Sequence, residues 1–187
     1  KIVLDDPKHI FIIAEAGSNW KVGTYQNDIK RATKLIKLAA SAGADAIKFQ
    51  TYNPKSVYVR NAGKSKYLIK SGFNQDIFKI FQEYSMPHKM LNELSKICNQ
   101  EKILLMSTPF SVGDAIAVDN FVKIHKIAAF EINHIRLLEY LASTKKPIII
   151  STGASDFSDI DYAVKLLKKK GVKNICLLQT TSKYPAP

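Results

Sequence analysis

"AGADAIKFQT", residues 42–51, decides the fold class of this chain. Gly43 closes a helical segment, since a glycine just past the last helical residue takes the left-handed turn that ends a helix. Ala44 to Ile47 then forms a short apolar run of strand type, and Lys48 and Gln50 stand where that buried strand should be ending. A helix that stops where a buried strand starts is the joint of an α/β chain. A lysine at the end of such a strand asks for a chemical reason.

The pattern repeats outward from this joint. Apolar, β-branched runs occur at residues 10–17, 103–110, 122–129, 146–153 and 174–181 as well as 44–51. Between them lie stretches with apolar residues three and four apart, such as Ile29, Ala32, Leu35, Ile36 and Ala39, or Leu91, Leu94, Ile97 and Cys98. Strand and helix in alternation predict a parallel sheet, and the unbroken apolar runs predict strands covered on both faces. Helix punctuation agrees, with "GTYQND" leading into the first helix and "KKKGVKN" ending the last on lysines and Gly171. Residues 52–87 break the rhythm and are expected to make a lid-like helical excursion over one end of the sheet. Six strands fit a doubly wound sheet or a (β/α)8 barrel, and a complete barrel needs about 250 residues.

Composition narrows the partners. The chain has 187 residues, 46% of them hydrophobic and 24% charged, which suits one globular domain. No apolar run reaches membrane-spanning length and no signal-peptide core precedes the first strand, so a cytoplasmic protein without a membrane role is expected. The net charge of +12 is carried almost wholly by lysine on helix faces, with Arg31, Arg60 and Arg136 the only arginines. That distribution argues against a nucleic-acid groove and is compatible with an acidic small molecule. Cys98 and Cys176 sit in apolar contexts with no CxxC spacing and are expected to be reduced core residues.

Each strand ends in polar residues: Glu15, then Lys48 and Gln50, Ser107 and Thr108, Lys126 and Glu131, Ser151 to Gly153, and Gln179 to Ser182. In parallel architectures ligands bind at the carboxyl ends of the strands, so these groups are expected to converge. Two lysines, several hydroxyls and the backbone N–H groups of "STG" suit a phosphate or carboxylate. Glu15 and Glu131 would be acceptors for substrate hydroxyls, or an acid or base if a pKa is shifted. The plainer alternative is that each merely meets solvent. Of the histidines, His125 reads as core or outer-layer filling, His134 as a helix cap, and His9 and His88 as surface or lid residues. Trp20 stacks on a ligand or seals the first loop. No histidine spacing within the chain makes a metal site.

Taken in order, "FIIAEAGSN", "AGADAIKFQT", "MSTPFS", "HKIAAFEINH", "PIIISTGAS" and "LLQTTSKYPAP" resemble the successive strand-end motifs of the sialic acid synthase (N-acetylneuraminate synthase) family, including its spore-coat polysaccharide branch. The resemblance runs along essentially the whole chain. It implies a (β/α)8 TIM barrel, here with only its first six strands. It also implies a C–C bond-forming transferase that condenses phosphoenolpyruvate with an N-acyl hexosamine such as N-acetylmannosamine. C3 of phosphoenolpyruvate attacks the sugar aldehyde, water attacks C2, and phosphate leaves. By the same resemblance Lys48, Thr108, Lys126, Ser151 and the Gly153 backbone would hold the phosphate and carboxylate, with Gln50 in support. Glu15 and Glu131 match the family's catalytic acidic positions, and Tyr184 and Gln179 fall at the sugar site.

The resemblance further implies a divalent metal, usually manganese, whose two histidine ligands would lie beyond Pro187, and a possible homodimer. Ala129 stands where the family often has serine, and Trp20 and Gln179 stand where many members have histidine. Strands seven and eight and the small antifreeze-like domain have no counterpart in the sequence, so a fragment or truncated form of a synthase is expected, or a chain that pairs its open edges with another. Two other readings compete: an aldolase-like barrel with a Schiff base on Lys48 or Lys126, and a phosphate- or sugar-acid-binding module without catalysis.

Overall fold

The computed structural model describes residues 6–70, 72, 74–182 and 186. Six parallel strands alternate with helices: β1 (Ile13–Gly17), β2 (Ala46–Thr51), β3 (Leu104–Pro109), β4 (His125–Ile127), β5 (Ile148–Ser151) and β6 (Ile175–Leu178). They pair in chain order as β1-β2-β3 and β4-β5-β6, and β3 adjoins β4. A doubly wound sheet reverses its strand order at a switch point; this winding never reverses, which excludes that alternative among the described residues. The strands are shorter than the apolar runs that announced them. The run at 122–129 yields only three strand residues before a 3-10 turn, Ala129–Glu131.

The helices are α1 (Tyr25–Ser41), α2 (Pro54–Val57), α3 (Lys66–Lys70), α4 (Ile77–Glu83), α5 (Lys89–Gln100), α6 (Val112–Asp119), α7 (Ile135–Ser143) and α8 (Phe157–Lys169). Their ends follow from side-chain chemistry. Thr24 accepts from the Asn27 N–H at the start of α1, and Asp156 and Asp159 form a reciprocal capping box on α8. Gly43 takes φ +82° after α1, a conformation that favours glycine. Residues 52–87 contain the three short helices α2 to α4.

Alternation within each strand separates two packing faces. Ile47, Phe49 and Leu105 join Ile36, Leu91 and Leu94 in one core under α1 and α5. Ile148 and Ile150 join Leu138, Leu141 and Leu167 in a second under α7 and α8. The opposite faces of all six strands, or the residues at their edges, meet in a third cluster: Ile13, Ala46, Met106, Ile124, Ile149, Cys176 and Leu178. Burial on both sides is why the runs of β2 to β5 are continuously apolar; β1 and β6 are only partly covered.

The isolated histidines take structural places. His125 is fully buried on the helix-facing side, with Nε2 3.0 Å from Asp119 Oδ1. His134 caps α7 by accepting from the Leu137 N–H, and exposed His9 pairs with Asp45 at 2.7 Å. Trp20 is buried in the first core, which settles it as a seal. Among the described residues no helix is long and apolar enough to cross a membrane.

Candidate active site

The interior face that carries Ala46, Met106, Ile124, Ile149 and Leu178 carries, two residues further along each chain segment, Lys48, Thr108, Lys126, Ser151 and Thr180. The period of two in a strand therefore places Lys48, Thr108, Lys126 and Ser151 in one layer above the apolar cluster, and Thr180, just past the end of β6, joins them. They line a cavity of about 830 Å³ at the carboxyl ends of the strands, together with Glu15, Gln50, Phe110, Phe130 and Ser182.

Lysines anchor this layer. Lys126 is 4% exposed and its Nζ donates to Ser151 Oγ at 2.6 Å and to the Ile127 carbonyl at 2.5 Å. Burial pushes its ammonium pKa down to about 8; nearby Lys48 adds repulsion, while Glu15 and Glu131 act the other way. Lys48 ion-pairs with Glu15, its neighbour in the β1–β2 register. Both cations are thus held inside the cavity, and only one has a carboxylate in hydrogen-bond contact.

Glu131 follows the short β4 on the 3-10 turn. Burial raises its carboxyl to about 7, and Oε2 has no hydrogen-bond partner among the described residues. Burial, with the Glu131 charge added, also raises the phenol of Tyr58, the residue that ends α2, so residues 52–87 reach the neighbourhood of this acid. A carboxyl that titrates near neutrality is chemically able to give or take a proton at physiological pH.

Several expected site residues are placed differently. Gln179 is exposed and does not line the cavity; Thr180, Thr181 and Ser182, which follow it past the end of β6, do. The Gly153 N–H donates to Thr180 Oγ1 at 2.8 Å, so this donor closes the β5–β6 end instead of facing the cavity. Ser107 lies on the opposite face of β3 and hydrogen-bonds Thr51 at 2.7 Å. Tyr184 lies outside the described residues. Phe110 and Phe130 were missed; Thr180 and Ser182 fall within the polar run 179–182 that was expected at the end of the last strand.

Among the described residues no group of three or more His, Cys, Asp or Glu side chains is placed to hold a metal ion. Glu15 is committed to Lys48, and Glu131 is partly buried close to the charge of Lys126, so among the described residues these two carboxylates do not by themselves make a metal site.

The fold and the site define a parallel α/β protein with a cationic, hydroxyl-lined pocket at its strand ends. The chain belongs to the NeuB family, whose model matches residues 35–187. It is 36% identical over 187 aligned residues to the N,N'-diacetyllegionaminic acid synthase of Campylobacter jejuni, covering 96% of this chain and 54% of that protein. It is 34% identical to the spore coat polysaccharide biosynthesis protein SpsE of Bacillus subtilis, covering 95% of this chain and 46% of that one. The crystal structure of the N-acetylneuraminic acid (sialic acid) synthetase from Leptospira borgpetersenii, in complex with citrate, superposes with a TM-score of 0.79 at 32% identity, covering 95% of this chain and 56% of that one. The chain spans about half the length of the curated relatives it matches.

Proposed function

We propose that this chain forms six strands of a (β/α)8 barrel and the phosphoenolpyruvate-holding part of a nonulosonic acid synthase active in surface polysaccharide biosynthesis. The reaction is condensation of phosphoenolpyruvate with an N-acyl hexosamine, giving the nonulosonic acid and phosphate. The observation that carries this reading is the buried Lys126, fixed on Ser151, beside Lys48 in one cavity. Two ammonium groups with adjacent hydroxyls match the charge of an enol phosphate that also bears a carboxylate. The names of the relatives supply the product class.

In this reading Lys48, Lys126, Ser151 and Thr108 hold the phosphate and carboxylate, and Thr180 and Ser182 offer further hydroxyls. Gln50 supports the acceptor, and Gly153 fixes Thr180. C3 of the enol forms the new bond to the aldehyde carbon; water adds at C2, and phosphate departs. Glu131 does not line the cavity but lies near enough to Lys126 to interact with its charge, and with a pKa of about 7 it supplies the proton that the aldehyde oxygen gains. Glu15, held by Lys48, faces the sugar hydroxyls.

One observation favours a second reading: a buried lysine with a pKa near 8 is also what a Schiff-base aldolase needs. Borohydride trapping of a carbonyl substrate on Lys126 would distinguish it. The first reading is tested by titration calorimetry with phosphoenolpyruvate. Lys126→Ala should weaken binding by roughly tenfold to a hundredfold, the worth of one charged hydrogen bond. Wild-type affinity should also fall as pH rises through about 8, where free Lys126 loses its proton. A folded chain that ignores phosphoenolpyruvate, or a Lys126→Ala chain that binds it equally well, refutes the assignment.

A further inference from the structure

Glu131 is set back from the cavity. Phe130 before it lines the space and Ile132 after it is buried at 2% exposure, so the acid sits in the wall between them. Its Oε2 is buried and has no hydrogen-bond partner among the described residues. While Glu131 keeps its proton, that oxygen belongs to a neutral group. Once the proton passes to the aldehyde oxygen, the same atom shares a buried negative charge. An ionised carboxylate with an unpaired oxygen costs far more at such a depth than a neutral carboxyl does. The step assigned to Glu131 therefore needs a donor at Oε2.

Among the described residues two titratable side chains interact electrostatically with Glu131: Lys126, from β4, and Tyr58, from the excursion. Lys126 is already engaged, donating to Ser151 and to the Ile127 carbonyl. Tyr58 is fixed by its ring and its backbone. Its N–H donates to the Pro54 carbonyl at 2.9 Å, where α2 ends. Its ring meets Phe81 of α4 edge-on with centroids 4.7 Å apart; Phe81 packs on Tyr52 at 5.1 Å, and Tyr52 on Phe110 at 5.5 Å. Phe110 lines the cavity. A ladder of rings thus ties Tyr58 to the cavity wall, and sets the phenol in place independently of any hydrogen bond it makes. Burial first, and the Glu131 charge second, hold that phenol above its ordinary 10. It keeps its proton wherever Glu131 titrates, and toward a carboxylate it acts only as a donor.

We propose that Tyr58 is a positioning residue for the condensation: its hydroxyl donates to Oε2 of Glu131 as that group loses its proton, fixing the carboxyl and taking up the charge. This rests on the condensation proposed above, with Glu131 as its acid. Tyr58 gives up no proton of its own. The proton that Glu131 passes to the aldehyde oxygen is replaced by one from the water that adds at C2, so the balance of the reaction is unchanged. The excursion then carries half of an acid pair as well as covering the strand ends.

Tyr58→Phe keeps the ring and its packing on Phe81 and removes only the hydroxyl. The Glu131 carboxyl is followed by carbon-13 NMR of the chain labelled at glutamate Cδ, with the Glu131→Gln spectrum assigning the resonance. A hydrogen bond to the ionised form favours that form, so its loss should raise the Glu131 pKa by about one unit, a tenfold change in the ionisation constant. In the wild type the Tyr58 Cζ resonance should move with the midpoint of Glu131. A tyrosine kept only for packing would show neither effect. Calorimetry should find equal phosphoenolpyruvate affinity in the wild type and in Tyr58→Phe. An unchanged or lowered Glu131 pKa in Tyr58→Phe, or a Tyr58 Cζ resonance that ignores the Glu131 titration, overturns the inference. If both chains bind phosphoenolpyruvate and the titration does not move, only the role of Tyr58 is lost; if the titration moves and neither chain binds it, the Tyr58–Glu131 bond stands and the condensation is refuted.

Discussion

Replacing Gly153 by alanine tests how the last two strands close the site. Gly153 follows β5, and the chain leaving β6 packs directly onto it. A Cβ there would stand 2.5 Å from Ser182 Oγ, 2.6 Å from the Thr180 carbonyl oxygen and 2.7 Å from Thr180 Oγ1. One of these atoms is backbone, so rotation of a side chain cannot relieve the clash. The segment from Thr180 to Ser182 must move, and the bond from the Gly153 N–H to Thr180 goes with it. Overpacking of this kind costs about 1–3 kcal/mol and the lost hydrogen bond about 1 more. For a chain of this size, about 2–4 kcal/mol in all lowers Tm by roughly 4–16 °C. Gly113, in the first turn of α6, is the control, because a Cβ there meets nothing closer than Ser111 Oγ at 3.8 Å. Gly113→Ala should be neutral or stabilising by up to about 1 kcal/mol. Thermal and urea unfolding of both variants decide the matter. A Gly153→Ala chain that melts with the wild type refutes the argument that β6 closes on this glycine, and with it the placing of Thr180 over the cavity.

Two further predictions concern pH. The Glu131 carboxyl is raised from 4.5 to about 7, so the folded state holds a proton that the unfolded chain has released; its contribution to stability falls as pH rises through that interval. Glu131→Gln should match the wild type in urea unfolding below pH 4.5 and exceed it above about 7, and no gain at the higher pH refutes the reading. Burial depresses His125 below its ordinary 6.5, which gives the opposite sign: stability is present above 6.5 and is lost as pH falls below it. His125→Leu should flatten that acid limb, and an unchanged slope means that His125 does not control it.

The strand-helix order was legible because strands buried on both faces read as apolar runs, and the helical periodicity between them is strong. Strand lengths were not: the chain leaves the sheet after Ile127 to make a 3-10 turn, although residues 128 and 129 are still apolar. Within the site, Lys48, Thr108, Lys126 and Ser151 were legible from position alone, each two residues past an interior apolar residue. The exposure of Gln179 was not legible, because polarity alone does not tell which way a residue past the strand end faces; nor was the bond from the Gly153 N–H to Thr180, because a free backbone donor cannot be told in sequence from one that a distant threonine occupies. A further cavity of about 490 Å³, lined by residues of the loop after β1, of α1, β2, α3 and α4, was invisible for a similar reason, since only packing brings Asn19, Gln50 and Phe81 to one space.

The energetics of the lysine layer bear on why it is there at all. Six strands supply an apolar interior that would gain stability from continuing as Ile or Leu, yet at the same depth it carries Lys126 with its pKa driven down by burial and by Lys48. A depressed lysine pKa means that the folded state opposes the charged form, so this residue costs stability at neutral pH. Ser151 and the Ile127 carbonyl offset the cost in part, but neither carries a charge. The deficit is one that an anion between the two lysines would remove, since it offers both ammonium groups the partner that Glu15 gives only to Lys48. Such an anion binds the folded state alone and should stabilise it by mass action. Phosphoenolpyruvate should therefore raise Tm for the wild type and lose that effect in Lys126→Met, a variant that should itself be no less stable than the wild type. A destabilised Lys126→Met chain would mean that the lysine is kept for packing, and the argument from cost to ligand would fail.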